Sequence, residues 1–315
     1  MGYKVLTEAV LSDVLLGMLA EVDCEVNIWT GADTDPALLA SAEGMLLYGH
    51  PIIDGPVMDS MPNLRMISNF GVGIDHVNLA DAKARGIPVS NTPNLVDGAT
   101  ADMTFALMMA IARNIVPGFE YAKSPEFTEM DFNIYQGFDI HGSTLGIVGL
   151  GNIGKEVAKR ASGFDMKVIY HNRNRNLEAE AELGVTYATL PELLQEADFV
   201  TLNVPMTPET HHLISYKELE MMKPTAYLIN AARGGVMDHD AIVHALQNKV
   251  IAGVATDVTE PEPLPRDHPM LTLDNIIILP HLGSNALQTR TRMAQRSVDN
   301  LIAGLKGEPI LNRLV

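Results

Sequence analysis

The feature that most constrains this chain is the hexapeptide Gly149-Leu150-Gly151-Asn152-Ile153-Gly154, a match to G-x-G-x-x-G. It follows an apolar run at 144–148 that reads as a strand. It opens an amphipathic stretch at 153–162 that reads as a helix. In that context each glycine has a job: Gly149 permits the tight turn, Gly151 lets a pyrophosphate approach the backbone, and Gly154 lets helix and strand pack closely. The N–H groups of the first helical turn, those of Asn152 and Ile153 among them, then face the anion, aided by the helix dipole. A glycine turn in an ordinary strand–helix unit is the alternative. The strand before and the helix after favour a dinucleotide site.

The same alternation of short apolar runs and amphipathic stretches covers the chain and predicts an α/β protein with parallel sheets. Strands are expected at 3–6, 44–47, 64–68 and 87–90, with helices at 13–20 and 79–85. This small unit ends near residue 98. A stretch rich in Ala, Met and Leu at 99–115 reads as one long, mostly buried helix, with Met108 and Met109 as packing residues. Residues 123–138 are irregular and read as a linker crossing between domains. A second series supplies strands at 144–148, 167–170, 199–203, 226–230, 251–256 and 276–279, with helices at 153–162, 190–196, 216–222 and 238–248. A long helix is expected at 284–305, with Ser284 as its N-cap.

Bulk properties narrow the partners. A length of 315 residues suits two domains, each with its own core. The formal net charge of -17 opposes binding to nucleic acid or anionic membranes. The single cysteine, Cys24, rules out a disulfide within the chain. Glu8 and Asp13 interrupt the N-terminal apolar residues, so no signal peptide is expected. No apolar run reaches the roughly 18 residues of a membrane span. A cytoplasmic location is the expectation.

An acidic residue for the ribose 2′-OH of NAD is expected about 20 residues beyond the glycines. That window reads His171-Asn172-Arg173-Asn174-Arg175 and holds no carboxylate. A neutral Asn172 with Arg173 and Arg175 suits a 2′-phosphate, so NADP(H) is favoured over NAD(H). The alternative is that both arginines are solvated loop charges.

Three further motifs stand at or just beyond predicted strand ends: Asn230-Ala231-Ala232-Arg233-Gly234-Gly235, Asp257-Val258-Thr259-Glu260-Pro261-Glu262-Pro263, and Pro280-His281-Leu282-Gly283-Ser284. In open α/β sheets ligands bind at the carboxyl ends of strands. With the phosphate loop, these motifs in this order resemble the D-isomer-specific 2-hydroxyacid dehydrogenase family. The resemblance spans nearly the whole chain, and within the family it is nearest to glyoxylate/hydroxypyruvate reductases.

The resemblance implies reduction of a small 2-oxo acid. Arg233 is similar to the family's substrate arginine, whose fork holds a carboxylate. His281 resembles the proton donor. Glu262 resembles the residue that orients His281 and favours its protonated form, with Glu260 a nearby competitor. Asp257 resembles the acceptor for the nicotinamide carboxamide. Val72 and Gly73 correspond to a backbone nest for the substrate carboxylate. Thr100 falls where the family lines the nicotinamide pocket, Val204, Pro205 and Thr207 where it lines the adenine side, and Ala231 lies in the arginine motif at the cofactor edge.

The implied architecture is two doubly wound parallel-sheet domains. A Rossmann cofactor domain at 99–287 is inserted in a flavodoxin-like substrate domain at 1–98 plus 288–315, with the cleft between them. A homodimer through the long helix and the crossover is implied as well. The chain departs from the family at Asn203, often His, at Thr256 and Thr259, usually bulkier and apolar, and in the crossover, which lacks the usual Trp. The only Trp is Trp29. Phosphoglycerate-, lactate- and hydroxyisocaproate-type substrates stay open. A dinucleotide-sensing corepressor-like module is the rival from another class, opposed by the acidic charge. His211 and His212 lack a partner at ligand spacing, so a surface or cap role is expected and no metal.

Overall fold

The computed structural model describes residues 2–315. The chain falls into two compact units: residues up to Val96 together with Ala286–Val315, and Asp97–Asn285.

The first unit is built on a five-stranded, all-parallel sheet. Its strands are β1 (Tyr3–Thr7), β2 (Cys24–Ile28), β3 (Gly44–Leu47), β4 (Met66–Asn69) and β5 (Val89–Ser90), in the order β2-β1-β3-β4-β5. That is the flavodoxin-like order. Every residue of β3 and β4 is buried, as in a parallel sheet covered on both faces. The sequence reading missed β2. It is an edge strand carrying Glu25 and Asn27, so it lacks the apolar run of its neighbours. Helix Leu287–Lys306 packs on this sheet, and Gly304 allows it to approach Met66, whose Sδ would lie 2.3 Å from an added Cβ. Ser284 is not its N-cap. Residues 282–285 form a turn closed by Asn285 N–H to Leu282 O, and the cap position falls on Ala286.

The second unit holds seven parallel strands: β6 (Thr144–Val148), β7 (Lys167–His171), β8 (Thr186–Tyr187), β9 (Phe199–Leu202), β10 (Tyr227–Asn230), β11 (Gly253–Thr256) and β12 (Ile276–Ile278). Their order is β12-β11-β10-β9-β6-β7-β8. The chain runs outward from β6 to β8, then returns to β9 on the other side. This reversal beside β6 is the switch point at which such sheets bind ligands.

The helix expected at 99–115 is two helices, Asp97–Ala112 and Ile115–Lys123, bent by 62°. The break falls at Asn114, which adopts the left-handed conformation (φ 50°) that asparagine tolerates better than most residues. The first helix buries Phe105, Leu107, Met108 and Ile111 in the core. Residues 124–143 form neither helix nor strand and lie wholly in this unit, so they are not a link between the two. No single helix among the described residues is long and apolar enough to cross a membrane.

Candidate active site

The phosphate loop joins β6 to helix Asn152–Ala161. Gly149 has φ +101°, and a Cβ there would lie 2.7–2.9 Å from Asn203 and the Val204 side chain, so this turn needs glycine. A Cβ on Gly154 would meet the Gly149 carbonyl at 2.2 Å. Gly151 faces open space, and no side chain caps the helix. Glycine here therefore leaves a cradle at a helix N-terminus, which fits a pyrophosphate. Val204, Pro205 and Thr207 lie in the loop after β9, with Val204 beside Gly149. The Thr207 hydroxyl contacts that of Thr210 at 3.2 Å, and Thr210 Oγ1 donates to Pro205 O.

Asn172, just past β7, ties the two strand ends together: its Oδ1 accepts the Leu150 N–H at 2.6 Å. Arg173 is exposed. Arg175 is engaged differently. Its Nε and Nη2 donate to the two carboxylate oxygens of Glu180, both at 2.7 Å. The hydroxyl of buried Tyr170 donates to Glu180 at 2.7 Å and accepts the Asn176 N–H at 2.8 Å. Arg175 and Tyr170 together hold the Glu180 carboxyl down to about 2.

After β10 the chain reaches Ala231 and Arg233. Buried Asn230 shapes this segment: its Oδ1 accepts the Ala232 N–H and its Nδ2 donates to the Arg233 carbonyl. Gly234 lies against the next loop, where a Cβ would stand 2.1 Å from the Thr259 carbonyl carbon. That loop follows β11. Thr256 Oγ1 donates to Val258 O and Thr259 Oγ1 to Pro261 O, so the two threonines brace its turns.

Asp257 is buried and anchors the loop after β12. Its carbonyl accepts the His281 N–H at 2.9 Å, its Oδ1 the Leu282 N–H at 2.7 Å, and its Oδ2 the Gly283 N–H at 2.6 Å. Burial raises its carboxyl above the usual range, while the two N–H groups and His281 oppose the rise. His281, at φ 59°, places Nδ1 2.8 Å from Glu262 Oε1. Thr100 lies on the first turn of helix Asp97–Ala112, close to Gly283. Arg233, Asp257, Glu262 and His281 thus stand on consecutive loops at the carboxyl ends of β10, β11 and β12.

In the first unit, Val72 and Gly73 follow β4. Asn69 Nδ2 donates to the carbonyls of Gly71 and Gly73, and Asn91 Nδ2 to that of Val72. Neither the Val72 nor the Gly73 N–H has a protein acceptor among the described residues.

A family model described as D-isomer specific 2-hydroxyacid dehydrogenase, NAD binding domain, matches residues 105–283. The chain belongs to the D-isomer-specific 2-hydroxyacid dehydrogenase family. It is 40% identical over 314 residues to a glyoxylate reductase of Pyrococcus horikoshii, covering 97% of this chain and 93% of the relative. A structure from Thermus thermophilus superposes with a TM-score of 0.90 at 42% identity, covering 99% of both chains. An NADPH-dependent glyoxylate/hydroxypyruvate reductase from Sinorhizobium meliloti, in complex with NADP and malonate, gives 0.89 at 31% identity, covering 100% of this chain and 97% of that one.

This 2-hydroxyacid dehydrogenase is therefore an NAD(P)-dependent oxidoreductase acting on 2-oxo acids. Three of its site residues escaped the sequence reading in their structural roles. Asn230 was visible only as the first residue of the arginine motif. Glu180 lay in an acidic helix start with no sign that it would meet Arg175. Asp257 has a structural role that its motif does not reveal: its two carboxylate oxygens hold the His281 loop.

Proposed function

We propose that this dehydrogenase reduces glyoxylate or hydroxypyruvate to the D-2-hydroxy acid, with NADPH preferred over NADH. The observation that carries the reading is the 2.8 Å His281–Glu262 contact on the strand-end loops beside Arg233. The Arg233 guanidinium holds the substrate carboxylate with its planar fork and polarises the adjacent carbonyl. In the first unit, Val72 and Gly73 present N–H groups of the kind that suit a carboxylate. His281 delivers a proton from Nε2 to the carbonyl oxygen, and Glu262 at Nδ1 fixes the ring. When bound, the reduced nicotinamide supplies the hydride to the carbonyl carbon. Asp257 keeps lone pairs for the carboxamide N–H, with Thr100 and Ala231 lining the ring and Val204, Pro205 and Thr207 the adenine.

Gly149, Gly151, Asn152, Ile153 and Gly154 hold the pyrophosphate in this reading. Arg173 leads recognition of the 2′-phosphate beside Asn172. Arg175 assists through Nη1, because Glu180 takes its other edge. The substrate class follows the relatives named glyoxylate reductase. The enzyme works in the cytoplasm as a homodimer, for which Phe119, Phe127, Met130, Phe132 and Tyr135 expose an apolar surface on the second unit; Phe132 is 80% exposed. Measuring kcat/KM for a panel of 2-oxo acids with both cofactors tests the reading. Faster turnover of pyruvate than of glyoxylate and hydroxypyruvate, or a clear NADH preference, overturns it. Sedimentation of a monomer alone overturns the dimer.

A further inference from the structure

We propose that His211, His212 and Glu260 form a binding site for one divalent transition-metal ion of the Zn2+ type, separate from the His281–Glu262 pair. The three side chains come from two loops, those after β9 and β11. Nε2 of His211 and Nε2 of His212 each lie 3.6 Å from the same oxygen, Glu260 Oε2. All three ligand atoms lie within 4.8 Å of one another. Two atoms bound to one tetrahedral ion at about 2.0–2.1 Å stand about 3.4 Å apart. Two of the three edges therefore need to close by only a few tenths of an ångström.

The backbone is arranged to bring these groups together. Successive side chains ordinarily diverge, but His212 adopts φ 52° and its ring lies 3.9 Å from that of His211. The His212 N–H donates to Gly235 O at 2.7 Å, and Ile214 N–H to Val236 O, which pins this turn to the segment after β10. Gly235 leaves room for the carboxylate, since a Cβ there would stand 2.7 Å from Glu260 Oε1. On the far side of the His212 ring, Asp238 Oδ2 lies 4.0 Å from Nδ1 and is itself held by Ser215 Oγ at 2.8 Å. With an ion at Nε2 the His212 proton would sit on Nδ1, the side that faces this carboxylate, which is the outer arrangement common around metal-bound histidine.

The rings stack at 19°, and parallel rings cannot both aim in-plane lone pairs at one ion. One ring must turn. Both are exposed, with side chains 46% and 41% accessible, so each ring has an open side towards which to turn and water can complete the coordination. Two imidazoles and one carboxylate suit Zn2+, Co2+ or Ni2+ better than Mg2+ or Ca2+. Glu260 is two residues from Glu262, so the ion would tie the loop bearing Glu262 to the loop after β9.

Calorimetric titration with ZnCl2 in a non-chelating buffer tests the site on the whole enzyme. Wild type and His281→Ala should each bind one Zn2+ per chain. His211→Ala/His212→Ala and Glu260→Gln should bind more than about ten-fold more weakly. Zn2+ should raise the Tm of wild type and not that of the double variant. No binding by wild type, undiminished binding by the double variant, or loss of binding in His281→Ala overturns the proposal.

Discussion

The main-chain carbonyl of Asp257 accepts the N–H of His281 at 2.9 Å, while both carboxylate oxygens of Asp257 hold the two residues that follow. One acidic residue thus sets the path of the loop that presents the proposed proton donor. Asp257→Asn puts an NH2 group against one of two backbone donors. We expect kcat to fall about 100-fold, the scale of a misplacement near 1 Å, with the fold retained by circular dichroism. Near-normal kcat would show that the loop holds without the carboxylate.

His281→Ala should cost about 10²–10⁴-fold in turnover, the range of a positioned acid–base group. NADPH binding, followed by fluorescence, should stay near wild type. Normal turnover would remove His281 from the chemistry. Glu262→Gln should lower kcat less than His281→Ala, because the ring keeps a hydrogen-bond partner at Nδ1.

The Glu180–Arg175 pair makes a prediction about cofactor choice. Glu180 cancels much of the charge that Arg175 brings to the loop. Glu180→Gln should raise the ratio of kcat/KM for NADPH over NADH, while Arg173→Ala should lower it; the NADH values should barely move in either. An unchanged ratio in both would place the 2′-phosphate elsewhere.

The same carboxylate gives a pH dependence. Its value in the folded protein is about 2, below the ordinary 4.5. A depressed carboxyl stabilises the fold above the unfolded value and loses that contribution as pH falls through the folded one. The Tm difference between wild type and Glu180→Gln should therefore be largest above about pH 4.5 and shrink towards pH 2. A difference constant over that range would contradict the pairing.

Gly234→Ala should destabilise the protein by about 1–3 kcal/mol, as overpacking does, because its Cβ would meet the Thr259 backbone at 2.1–2.2 Å. Turnover should fall with it, since the displaced loop carries Glu262. Urea unfolding measures the first effect; an unchanged midpoint would mean the loop yields freely.

The sequence by itself determined the phosphate loop, the strand–helix alternation and the motifs at the ends of β10, β11 and β12. These are local signals: glycine where a Cβ has no room, apolar runs of strand length, and turn residues beside them. Elements without such a signal were hidden. β2 alternates polar residues at a sheet edge, and the helix break at Asn114 depends on a conformation that the apolar pattern does not encode. The pairing of Arg175 with Glu180, the hold of Asp257 on the His281 loop and the approach of Glu260 to His211 and His212 were decided only by tertiary structure. The second and third rest on which loops the parallel sheet sets side by side, placed by strand order and not by spacing along the chain; the first spans five residues and rests on how the chain turns from β7 into helix Leu177–Leu183.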